Sequence, residues 1–288
     1  MRGIGTKAKS PGRAGLAFGL AALLAGCGGN GPFAARDTDP PLEEQDARTI
    51  FQAAEAELAQ NDPDDAAELF LEVERLHPYS EWARRALVMA VYAHHLDSDY
   101  ENARIAARRF LDFYPDNEDA AYVQFLLALS YYDQIDQVGR DQGVTFQALQ
   151  ALRAVIERYP DSAYARDAIL RFDVAFDHLA SKEMEIGRYY LRRQHYTAAI
   201  NRFRVVVEQF QTTSHTPEAL MRLVEAYLAL GLPDEARTAG AILGHNFQAS
   251  PFYDDAYRQL TGQDLAPEAA GEGWLREVWQ QTVRGDWL

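Results

Sequence analysis

Residues 66–78 read AAELFLEVERLHP, and the fold follows from this stretch. Ala66, Phe70 and Val73 fall at i, i+4 and i+7, one face of a helix. Pro78, five residues further on, cannot continue that helix. The pattern returns four more times, as Ala103, Ala107, Phe110 and Pro115; Ala148, Leu152, Val155 and Pro160; Ala199, Phe203, Val206 and Gln211; and Ala236, Gly240, Leu243 and Gln248. An aromatic ring precedes the last position each time: His77, Tyr114, Tyr159, Phe210 and Phe247. The leading alanines are 37, 45, 51 and 37 residues apart.

The recurrence resembles the second helix of a tetratricopeptide repeat, whose usual period is ~34 residues. There the small first residue lets paired helices approach closely, and the later ones fill the groove between neighbouring repeats. Stripes for the first helices stand between these units: Ile50, Ala54 and Leu58; Leu87, Val91 and His94; Tyr122, Phe125, Ala128 and Tyr132; Leu220, Leu223, Ala226 and Leu230. Asp62-Pro63, Thr216-Pro217 and Ser250-Pro251 each pair an N-cap residue with proline at the first helical position. Gly231 marks a helix stop. The two long intervals exceed 37 by 8 and 14 residues. The first excess belongs to an insertion at 133–143. The second makes 163–193 one elongated first helix in the fourth repeat, or two collinear ones. The expected fold is an all-α solenoid of five helix pairs over residues 46–261.

The chain has 288 residues, 48% hydrophobic and 25% charged, with 19 Gly and 12 Pro, an ordinary globular balance. A net charge of -15 argues against nucleic acid as a partner. One cysteine excludes an intrachain disulfide framework and a Cys-pair zinc site. Residues 1–13 hold Arg2, Lys7, Lys9 and Arg13 and no acid, and residues 14–24 (AGLAFGLAALL) are apolar. That is the layout of a secretory signal, and the run is about half the ~20 residues of a membrane span. Leu24-Ala25-Gly26-Cys27 follows. It resembles a bacterial lipoprotein lipobox. The resemblance implies cleavage after residue 26 and a mature Cys27 carrying a diacylglycerol thioether and an N-acyl chain such as palmitate, enough for stable anchoring. Gly28, where an Asp would retain such a protein in the inner membrane, implies the outer membrane, periplasmic face. Residues 27–45 read as a Gly/Pro/Asp-rich linker. Without residues 1–26 the net charge would be -19, with Lys182 the sole lysine. The remaining cations would be arginines, which pair carboxylates in bidentate fashion.

Several segments go further: His77-Pro78-Tyr79-Ser80, Ser130–Ile135 (SYYDQI), Gly139–Gln142 (GRDQ), Arg158–Ser162 (RYPDS), Lys182–Tyr190 (KEMEIGRYY), Ala199–Phe203 (AINRF) and Leu223–Tyr227 (LVEAY). In this order, with both insertions, the chain from about 46 to 256 resembles the BamD family of outer-membrane β-barrel assembly lipoproteins. The resemblance implies a non-enzymatic scaffold without cofactors. Its implied partners are the BamA POTRA domains, other Bam lipoproteins and unfolded outer-membrane β-barrel precursors. The membrane would be reached by the lipid alone. Asn201 and Arg202 fall where the family contacts the POTRA region by an ion pair. Lys182, Glu183, Arg188 and Tyr190 lie in a segment dense in charge and tyrosine. It suits a binding face, though Met184, Ile186, Tyr189 and Tyr190 would equally pack the long helix. Another periplasmic repeat lipoprotein, scaffolding cell-wall or pilus assembly, is the alternative.

Catalytic signatures are missing. The sequence has no G-x-S-x-G elbow, no Gly-rich phosphate loop and no H-E-x-x-H. Asp133, Arg140 and Asp141 suit loop ion pairs; their spacing misses the calcium-loop pattern. His94-His95 would have one ring packed and one solvated. In residues 262–288, Trp274 with Val278 and Leu275 with Trp279 are i, i+4 pairs of a short amphipathic helix. It is expected either to dock on a partner or on the array's own end, or to be a flexible tail.

Overall fold

The structure, a computed structural model, describes residues 40–138, 140–268 and 273–284. Cys27, its signal and most of the linker lie outside the described residues. A 3₁₀ turn at Leu42–Glu44 is followed by helices α1 (Ala47–Ala59), α2 (Pro63–Leu76), α3 (Glu81–Leu96), α4 (Tyr100–Phe113), α5 (Ala120–Tyr132) and α6 (Gly143–Arg158). Then come α7 (Ala165–Arg192), α8 (Tyr196–Gln209), α9 (Thr216–Ala229), α10 (Pro233–Asn246), α11 (Pro251–Thr261) and α12 (Trp274–Arg284). The described residues hold no strand, and none of their helices is long and apolar enough to cross a membrane.

Consecutive helices from α1 to α10 pack on one another, and α1, α3, α5 and α7 also touch in sequence. That is a stack of helix hairpins, and the register read from the sequence explains it. The first three positions of all five repeats are buried, from Ala66, Phe70 and Val73 to Ala236, Gly240 and Leu243. At the leading position only Ala separates one helix from the next. Each second helix then ends on its aromatic. His77, Tyr114, Tyr159, Phe210 and Phe247 are the C-caps, with φ between -127 and -134° and each N–H returned to the carbonyl four residues back. Phe210 and Phe247 precede Gln, not Pro, and adopt the same geometry. The stop is therefore set by the packed aromatic; proline only reinforces it.

Four of the five hairpin turns share one device. Asn61, Ser98, Gln194 and Gly231 sit at φ 64, 65, 60 and 72°. The N–H of the next residue reaches back five positions, from Asp62 to Glu57, Asp99 to His94, His195 to Tyr190 and Leu232 to Tyr227, at 2.9–3.0 Å. This is the helix-ending turn that a left-handed residue permits. Only Gly231 was legible as such, because Asn, Ser and Gln carry no demand for that conformation. The third pair replaces the turn by the 133–142 loop, held by Arg140–Asp136 at 2.7 Å and His95–Asp133 at 3.4 Å.

The interval of 51 residues resolves as a single 28-residue helix, α7, about 42 Å long. Three expectations need correction. Thr216 is not an N-cap: His215 is, and the fully buried Thr216 hydroxyl donates to the Phe210 carbonyl at 3.0 Å. Leu230 is not on the buried stripe but 42% exposed, because α9 ends at Ala229 and the turn swings it out. His95 is not solvated; its ring is half-buried beside Asp133 and against Tyr100.

The tail folds back as α12 onto α10. Leu275 and Val278 are buried, the Trp274 N–H donates to the Tyr227 hydroxyl at 3.2 Å, and the Arg204 guanidinium covers the Trp274 ring at 4.9 Å. Of the two expectations for this segment, docking on the array's own end is the one found.

Candidate interaction surface

The segment dense in charge and tyrosine is the second half of α7. Its buried stripe is Ala180, Met184, Gly187 and Leu191. At about 100° per residue, Glu183 and Arg188 flank that stripe on opposite sides, about 140° apart. Each reaches a different neighbour. Arg202 Nη1 on α8 donates to Glu183 Oε2 at 3.1 Å. Arg188 Nε and Nη2 donate to the two Glu218 oxygens of α9 at 2.9 and 2.6 Å. Two ion pairs thus clamp α7, one to the second helix of its own pair and one to the first helix of the next.

The second clamp is the stronger. It is bidentate, and Glu218 Oε1 also accepts from Arg222 Nε at 3.4 Å. The Glu218 side chain is 14% exposed. The Arg188 guanidinium beside it holds its carboxyl below the usual carboxylate range, against the opposing effect of burial. The same hydrogen bonds raise Arg188. Arg222 continues to Glu225 at 2.9 Å.

The six residues singled out from the sequence are therefore not one patch. Glu183 and Arg202 meet; Arg188 is engaged elsewhere by Glu218. Asn201 is exposed, Lys182 is half-buried, and Tyr190 is half-buried with its ring 6.3 Å from His195. Glu218 and Arg222 were missed, since 30 residues separate Arg188 from Glu218 and no local pattern joins them. Arg202 keeps capacity to bind. Its side chain is 43% exposed and a guanidinium has five N–H donors. Among the described residues no group of His, Cys, Asp or Glu is arranged to hold a metal. The surface carries charge and tyrosine, groups that can make paired, charge-assisted hydrogen bonds.

A family model described as "Outer membrane lipoprotein", YfiO, matches residues 43–242. A relative from Caulobacter vibrioides called outer membrane protein assembly factor BamD is 47% identical over 248 residues, 86% of this chain and 80% of its own. One of the same name from Rickettsia prowazekii is 44% identical over 67% of this chain and 77% of its own. A third, from Neisseria meningitidis serogroup A, is 29% identical over 84% and 94%. With a family model over most of the helical array and such relatives along it, the chain belongs to the YfiO/BamD family of outer membrane lipoproteins, whose members are scaffolds and not enzymes.

Proposed function

We propose that this protein is an outer-membrane protein assembly factor. Lipid on Cys27 tethers it to the periplasmic face of the outer membrane. The helical array binds the POTRA domains of BamA and other Bam lipoproteins and receives unfolded β-barrel precursors. The observation that carries this reading is the 47% identity, over 86% of the chain, to a relative bearing that name. Asn201 and Arg202 are the proposed POTRA contacts, with Lys182, Glu183, Arg188 and Tyr190 as the surrounding face. Arg202 and Glu183 form a half-exposed pair that can exchange partners, so they are the better contacts. Arg188 acts chiefly by holding α7 to α9.

The test separates contact from clamp. Arg202→Glu reverses the charge and sets two acids side by side. The pair Glu183→Arg with Arg202→Glu restores the ion pair with its sign exchanged. Both are expected to lose co-purification of BamA from solubilised membranes while the double variant melts like wild type. Recovery of BamA by the double variant would reduce Arg202 to a structural residue. For the anchor, wild type should incorporate labelled palmitate and Cys27→Ser should not; wild-type protein without label removes the lipid from the proposal.

A further inference from the structure

Close backbone packing links the first helices α1 to α3, α3 to α5, α5 to α7 and α9 to α11, but it is sparse between α7 and α9. There α7 stands off, and side chains bridge the gap. The concavity that remains holds about 190 Å³ and is lined by Arg188, Leu191 and Arg192 of α7 and by Arg222 and Glu225 of α9. That is smaller than the ~300–1,000 Å³ of small-molecule sites. It suits a single chemical group delivered by a larger molecule.

Its lining selects the sign of that group. Toward Glu218 and Glu225 the hydrogen bonds use Nε and Nη2 of Arg188 and Nε and Nη1 of Arg222. A guanidinium has five N–H donors, so among the described residues Arg188 Nη1 and Arg222 Nη2 keep theirs. Arg192, the last residue of α7, is exposed and forms no ion pair among the described residues. Three guanidiniums face the two carboxylates Glu218 and Glu225, a surplus of one positive charge in a chain of net charge -15. Glu185, one turn back on α7, is exposed and is the weakest of the influences on Arg188. A surplus of one matches a carboxylate better than a doubly charged phosphate, and planar guanidiniums bind carboxylates through paired, charge-assisted bonds. Arg222 also lines a second concavity of about 370 Å³, with Met221 of α9 and Phe252 of α11 as its apolar members and Arg258 already paired with Asp255.

We propose that this row is a binding site for an extended, carboxylate-bearing segment of another protein. The carboxylate enters among Arg188, Arg192 and Arg222, and an apolar side chain next to it reaches Met221 and Phe252. The acid is either an Asp or Glu side chain or the end of a chain; the chemistry is the same. Arg188 lies about 140° around α7 from Glu183, the partner of Arg202, so the site does not rest on the POTRA reading.

The probes are three short peptides: GELG and GQLG, each acetylated and amidated, and acetylated GQL with a free carboxyl end. Each is titrated into the full chain while the arginine Nε–H signals are followed in proton–nitrogen correlation spectra. GELG, GQL or both should shift Arg192 and Arg222 saturably, and GQLG should not. GELG alone assigns the acid to a side chain, and GQL alone to a chain end. Arg192→Glu and Arg222→Gln should each weaken binding about tenfold or more. Arg222→Lys should weaken it too, because a point charge does not replace the planar fork. Arg193→Glu makes the same change in net charge as Arg192→Glu but lies outside the lining, and should leave binding unchanged. Arg192 is exposed, so its variant keeps the test valid should Arg222→Gln melt low. Two outcomes overturn the proposal: no saturable shift with either acid-bearing peptide, or equal weakening by Arg193→Glu and Arg192→Glu, which would reduce the effect to the general field of the surface.

Discussion

Gly187 of α7 lies so close to Phe203 of α8 that a Cβ on the glycine would stand 2.4 Å from the ring Cε1. Phe203 is fully buried and cannot retreat. In a helix interior, alanine for glycine ordinarily gains ~1 kcal/mol. Here overpacking outweighs that gain, and Gly187→Ala should lose about 1–2 kcal/mol net, a fall in Tm of roughly 2–8 °C. Adding Phe203→Leu should return part of the loss. A Gly187→Ala protein that melts higher than wild type would refute the close approach.

The Arg188–Glu218 clamp makes stability depend on acid. The folded-state pKa of Glu218 is depressed below 4.5, so the native state binds fewer protons than the unfolded chain in that window. Its contribution is whole above pH 4.5 and is lost as pH falls through the depressed value. Glu218→Gln should cost about 1–2 kcal/mol at pH 7 and flatten the decline of Tm between pH 5 and pH 3. An unchanged decline would place the acid sensitivity elsewhere.

Burial of His94 and His95 acts at higher pH. Desolvation lowers both from 6.5, only partly offset by Asp99 beside His94 and Asp133 beside His95. The unfolded chain therefore takes up protons first, and stability falls as pH drops below about 6.5. Thermal melts from pH 7.5 to 5.5 should show this slope, and His94→Gln with His95→Gln should reduce it. Equal slopes would mean that the two rings titrate alike in both states.

Ala148 tests the register. It is fully buried where α6 meets its neighbours. Ala148→Arg would force a charge into that crossing, at a cost of several kcal/mol, on the order of 4 or more. Loss of cooperative melting is expected; a normal melt would show that the leading alanine is not at the crossing.

Leu275 tests α12. It is 3% exposed, and Leu275→Asp should detach the helix, removing hydrogen-exchange protection from residues 274–284 while the first hairpins keep theirs. Retained protection would show that Trp274 and its bond to Tyr227 suffice to hold the helix.

The repeating alanine–aromatic pattern made the second helices legible because every such helix meets the same local demand: a close crossing at its start and a packed ring at its end. The turns were half legible. Gly231 announces a left-handed residue, whereas Ser98 and Gln194 have no intrinsic preference for that conformation and Asn61 only a modest one, so the same turn is not marked in their sequence. Thr216 misled for a related reason. Before a proline it has the chemistry of an N-cap, yet the buried Phe210 carbonyl offered its hydroxyl a better partner.

By itself, then, the sequence determined the all-helical repeat, its two insertions and the resemblance of its segments to one family, all properties carried by spacing along the chain. Tertiary structure decided which charges clamp and which remain available. Glu183 and Arg188 are five residues apart yet serve different neighbours, because each is turned toward a different helix around the axis of α7.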